Sequence, residues 1–272
     1  MNDKIDPENQ LLGVTAKAVS GALKNHDVIE AGRIFGKSAL IIAETVQTAL
    51  LPLAALNYGA EKAKEYFEKK FERDISERLQ SIPVEDIVQP KASIAGPALQ
   101  GLAFSHEEDE LKNLYLGILA NAMDNRPSSY VHPAFIEVVK QLSSDDVFNL
   151  NVILRHDVAH ELIEVHVSEP NLFGFKIVLR HVMNLLHVET NEATENPLFP
   201  TYVDNWIRLG LVKVDYDRRA AGPNSYNWVE QRPEILRLRK ESDHQGFHVK
   251  IVRGTLTVTD FGKSFAKAVG LI

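Results

Sequence analysis

The run RHDVAHELIEVH, residues 155–166, concentrates more chemistry than any other stretch of this sequence. On a helix, His156 and His160 stand one turn apart on one side and Glu164 follows a turn later, so two imidazoles and a carboxylate could hold a divalent metal. That arrangement is the basis for one reading of the chain, a metal-dependent hydrolase. The spacing departs from HExxH, because Asp157 follows the first histidine and Glu161 the second, which leaves no zincin-type general base. His132 with the His156-Asp157 pair is a fainter echo of metal phosphohydrolases, without a distal aspartate helix to complete it. A solvated helix face is the plainer reading of the same residues.

A second group of residues could bind phosphates. Arg208, Arg218, Arg219, Arg237, Arg239 and Lys240 lie in a C-terminal region (residues 200–272) holding 12 Lys or Arg against 8 Asp or Glu, whereas residues 1–199 hold 18 against 29. Phosphate contacts need such cations, so a nucleic-acid-binding regulator is a further alternative, with a protein-docking tail as the plainer one. The whole chain carries a formal charge of −7, which disfavours indiscriminate adhesion to nucleic acid. There is no Walker A segment, Rossmann glycine turn or GxSxG elbow, so no cofactor is expected.

The elements that must position these residues are mostly helical. At 272 residues and 44% hydrophobic content the chain can bury a sizeable core, and with zero cysteines it does so without disulfides or zinc thiolates. A helical N-terminal region is expected over residues 1–82, with apolar helices within 11–56 and an amphipathic helix from Ala60 to Gln80, where Phe67, Phe71, Ile75 and Leu79 recur every four residues. Gly32 and Gly36 give a GxxxG spacing in the apolar tract, while Lys37, Glu44 and Pro52 keep that tract short of a clean membrane span. A central helical domain is expected over residues 83–195. In it, Pro90 and Ala95-Gly96-Pro97 mark an irregular connector. Ser105 with Glu108 forms a capping box before the stripe Leu111, Leu114, Tyr115, Ile118, Leu119, and Ser143 with Asp146 caps a third helix that continues through Leu150, Leu154, Val158, Leu162 and Val165. Residues 196–272 read as a winged-helix-like α/β module with a strand at 211–214, an inserted loop at about 217–245, and two strands joined by an Arg253-Gly254 turn. The fold class is therefore mainly α, a multi-helix body with a small C-terminal α/β module. The polar N-terminus lacks a secretory pattern, and a cytoplasmic location is expected.

The segment PKASIAGPALQGL from Pro90 to Leu102, the acidic Glu107 to Glu110, Leu116 to Met123, and VHPAFIEVVKQLSSDD from Val131 to Asp146 resemble the central pattern of the Abi-alpha family of bacterial abortive-infection proteins. YVDNWIRLGL (Tyr202 to Leu211) and LTVTDFGKSF (Leu256 to Phe265) resemble its closing elements, so the likeness spans about residues 85–270. It implies an antiviral defence role, and it brings no settled catalytic set or ligand. The preferred class is a regulatory, non-enzymatic defence protein acting through a protein partner or homo-oligomer. A conditional release of the N-terminal helices, with peripheral membrane association on activation, is the output expected of it.

Overall fold

A computed structural model of the chain describes residues 60–126, 131–170 and 173–272. The helices expected over residues 11–56, and the release expected of them, lie outside the described residues. The described residues divide into two compact units, the first comprising those from 60 to 149 together with 265–272, the second those from 150 to 264.

The first unit is helical. Helices α1 (Ala60–Lys69) and α2 (Phe71–Leu79) occupy the amphipathic tract, which the sequence suggests is continuous; Lys70, at φ −120° and ψ −37°, breaks it. Phe71, Ile75 and Leu79 are buried, as their spacing requires, while pairs such as Lys69–Glu65 remain on the solvent side. Instead of an irregular connector, residues Ala92–Ser105 form helix α3 with Pro97 inside it. Proline cannot donate to the carbonyl four residues back, but that residue, Ser93, is exposed, where water can satisfy the carbonyl. The capping box at Ser105 and Glu108 does not form, because α3 runs through Ser105 and Glu108 sits extended ahead of α4 (Asp109–Ala122). Its carboxylate instead accepts a 2.5 Å hydrogen bond from the Ser144 hydroxyl.

The α4 stripe is buried as expected, Leu111, Leu114, Tyr115, Ile118 and Leu119 facing the core. Gly117 on this helix admits the chain end: a Cβ there would stand 2.0 Å from the Val269 carbonyl oxygen. One turn on, the Asn121 amide donates to the Ala268 carbonyl (3.1 Å), which the helix terminus otherwise leaves open, and to that of Lys267 (3.3 Å), which also accepts from the Gly270 amide (3.0 Å). Short helix α5 (Ala134–Val139) follows, with His132 Nδ1 accepting from the Ala134 amide at 3.1 Å. The cap expected before α6 (Ser144–Leu154) is present: Ser143 donates to Asp146 from its amide (3.0 Å) and hydroxyl (2.6 Å), and the Asp146 amide donates back at 3.2 Å.

The second unit surrounds an antiparallel four-stranded sheet in the order β2-β1-β4-β3, with β1 at His160–Ser168, β2 at Lys176–Val182, β3 at Val212–Asp215 and β4 at His248–Val258. This corrects the expected central helix, which stops at Leu154 and gives way to a strand. The β-branched Ile163, Val165 and Val167 alternate in β1, and nine residue pairs join it to β4. The expected turn at Arg253-Gly254 is likewise absent, since β4 runs unbroken through both residues. The C-terminal strands therefore share their sheet with residues 160–182 and do not make a separate winged module. On one face Ile163 and Val165 pack with Tyr226, Val229 and Ile235. The last of these lies on a helix formed where an inserted loop is expected: α8 (Pro233–Gln245) begins with proline and ends at Gly246 in the left-handed region (φ 74°). Helix α7 (Phe199–Arg208) lies beside β2, and α9 (Asp260–Ala268) follows β4. Among the described residues no helix is long and apolar enough to cross a membrane.

Candidate functional site

The most constrained polar array of the second unit is built on a bulge. Between the pairs Ile163↔Val182 and Val165↔Leu179, β2 has two residues, Arg180 and His181, opposite the single Glu164 of β1. His181 takes up the extra length in the left-handed conformation (φ 53°), uncommon for a residue with a side chain, and it is buried. The twist lets one oxygen serve the residue twice: the His181 amide donates to the Tyr216 hydroxyl at 3.2 Å, and that hydroxyl stands 3.0 Å from His181 Nδ1. On the other side of the ring, Nε2 lies 3.2 Å from Asp204 Oδ1 on α7.

Burial lowers the pKa of His181 below its ordinary 6.5, outweighing the bond and charge of Asp204, which raise it. The neutral ring then accepts the phenolic proton at Nδ1 and donates from Nε2 to the carboxylate. Burial also pushes Tyr216 up to about 12, so the phenol keeps its proton. As it stands the array orients groups and does not supply a nucleophile.

Tyr216 reaches β2 by lying over β4 at Gly254. A Cβ at that position would come 2.5 Å from the tyrosine ring and 2.9 Å from the Asp215 carbonyl oxygen, so glycine serves here for close approach and not for a turn. Next to the bulge, Glu164 bonds His166 Nε2 at 2.5 Å and Arg180 Nε at 3.3 Å, and Phe175 stacks on the His166 ring with centroids 4.0 Å apart.

His181 and Arg180 also line a cleft of about 430 Å³ with residues of the 183–200 segment and of α8. At its base the buried Arg232 donates from Nε to Glu234 (2.9 Å), from Nη1 to the Leu185 carbonyl (2.8 Å) and from Nη2 to the Thr194 carbonyl (2.7 Å). Arg237 grips Glu195 with two bonds of 2.5 and 2.6 Å.

The residues singled out from sequence are placed differently. His156 is exposed on the turn after α6, His160 opens β1, and Glu164 is engaged with His166 and Arg180, so the single helix face that was to align them does not exist. Burial lowers the pKa of His160, and its Nε2 is enclosed without a partner among the described residues. Among the described residues no group of three or more His, Asp or Glu side chains is gathered to hold a metal ion. Of the basic set, Arg208 bonds Asn205, Arg218 lies 3.6 Å from Asp215, Arg237 holds Glu195 and Arg239 bonds Glu230 at 2.7 Å. Charges already matched by carboxylates offer less to a phosphate backbone. Nothing in the sequence links His181 to Asp204 or Tyr216, 23 and 35 positions away. No local motif announces that convergence.

Fold and site together define a protein with a helical unit and an α/β unit, whose α/β polar groups are largely bonded to one another. The family comparison gives the assignment: the model of the abortive infection alpha family matches residues 63–269, and the chain belongs to that family. No curated protein and no solved structure matches the chain.

Proposed function

We propose that the protein acts in anti-phage defence by abortive infection, through contacts with a protein partner or with further copies of itself. The observation that carries this reading is the family match over residues 63–269. The state of the polar groups supports action by contact. Asp204, His181 and Tyr216 bond one another, Glu164 is matched by His166 and Arg180, and most of the basic candidates hold carboxylates or amides. Apolar side chains remain for a partner, among them Phe173 and Val188, 110% and 81% exposed.

The test is phage challenge of a sensitive host carrying the gene. Fewer plaques together with death of infected cells before phage release is the expected result, and unchanged plaque yield over a panel of phages contradicts the proposal. Changing both Phe173 and Val188 to Ser should weaken protection while leaving the fold intact. Protection undiminished in that variant would remove the contact surface from the account.

A further inference from the structure

Between β2 and α7 the chain makes a hairpin-like loop that is fixed at its base and open at its tip. The Leu186↔Ala193 bridge closes it, with the Thr194 amide donating to the Leu185 carbonyl at 3.0 Å and the His187 amide to the Glu192 carbonyl at 2.8 Å. Below the bridge the buried Arg232 holds the carbonyls of both Leu185 and Thr194. At the tip Asn191 takes the left-handed conformation (φ 57°) and donates its amide to the His187 carbonyl at 2.9 Å. His187 Nδ1 accepts from the amides of Glu189 (3.3 Å) and Thr190 (3.4 Å). Ordering a loop costs conformational entropy, and here the backbone is already ordered before any partner arrives. What it presents outward is apolar and acidic. Val188 is 81% exposed, and the exposed Glu189 and Glu192 have no ion-pair partner among the described residues. No Lys or Arg occurs between positions 181 and 207 to balance them locally.

We propose that this loop docks a protein partner whose surface offers a small apolar pocket rimmed by Lys or Arg. The inference rests on the reading of action by contact and adds the chemistry of the partner. Val188 enters the pocket, while Glu189 and Glu192 pair with the rim, which steers the encounter and fixes its register. The same two carboxylates repel a nucleic-acid backbone and an anionic lipid surface. Two such loops meeting across a two-fold axis would set their glutamates against one another, so the loop of a second copy is a poor occupant.

The test is selection of a yeast-displayed random peptide library against the full chain, followed by fluorescence-anisotropy titration of the enriched peptides. Those peptides should carry a large apolar residue flanked by Lys or Arg. Val188→Ser should weaken them by about tenfold or more, the loss expected when one apolar side chain is no longer buried. Changing Glu189 and Glu192 together to Gln should weaken them by about tenfold at low salt and by much less at high salt, where the charges are screened. His187→Ala leaves Val188 and both carboxylates in place but removes the acceptor of two tip amides, and it should weaken binding by about threefold. Glu169→Gln, at an exposed carboxylate outside the loop, should change nothing. Enriched peptides without basic residues, salt-independent binding, or full affinity in a folded Val188→Ser variant would each overturn the proposal. So would concentration-dependent self-association of the natural chain that Val188→Ser abolishes, since a second copy would then be the occupant. Peptide binding is read apart from phage protection: a chain that gives no protection yet selects such peptides through this loop contradicts the defence role alone, and protection with no such peptides contradicts the docking loop alone.

Discussion

Tyr216 spans the sheet to His181 only because position 254 lacks a side chain, and this sets the first expectation at the level of single residues. Gly254→Ala places a methyl 2.5 Å from the Tyr216 ring and 2.9 Å from a backbone oxygen, so the ring must leave the strand. The cost should be about 1–3 kcal/mol by chemical denaturation, the range for forcing atoms into a packed site. Release of the hydroxyl should also change the His181 imidazole resonances in NMR spectra. A second expectation concerns pH. The folded pKa values of His181 and His160 lie below 6.5, so the native state binds fewer protons than the unfolded chain. The stability they contribute is complete above pH 6.5 and is lost as pH falls through their lowered folded values. His181→Asn, which tolerates the left-handed backbone, should flatten part of that slope in denaturation curves taken between about pH 7 and 5. An unchanged slope would mean that the folded and unfolded pKa values of His181 coincide. None of this array could be read along the chain, because His181, Asp204 and Tyr216 meet only when three separate elements pack together.

Secondary structure was legible where one face carries the core and illegible where both do. In α2 and α4 the apolar residues recur every three or four positions, and those positions are the buried ones. In β1 all residues from Leu162 to His166 are buried, so period-two alternation disappears and the apolar positions happen to continue the helical spacing of α6. The clue that could have divided them was the polar Arg155-His156-Asp157 followed by alternating β-branched residues. The Ser143 cap was legible because its chemistry is local, and Ser143→Ala should lower stability by about 1 kcal/mol. Arg232 makes a sharper test of tertiary packing, since it ties the 185–194 segment to α8 through two carbonyls and Glu234. Arg232→Met leaves Glu234 buried without its partner and should cost about 3–5 kcal/mol, whereas a further Glu234→Leu change should recover a large part of the loss. A double-mutant cycle measured by urea unfolding checks both values.

For the molecule as a whole, the family was legible in the order and composition of Pro90 to Leu102 and Val131 to Asp146, a reading that does not depend on which elements they form, and the family match spans them. The helix face from which the metal-site reading was drawn is absent, because the chain turns after Leu154 and His160 opens a strand. The central proposal is that protection comes from contact with a protein partner or with further copies of the protein, without His156 and His160 acting as a pair, since the two stand on different elements. Its most direct test is phage challenge of cells carrying either the natural chain or a His156→Ala/His160→Ala variant whose folding is verified by circular dichroism. The account predicts equal protection by both, with infected cells dying before phage release; loss of protection in the folded double variant would contradict it.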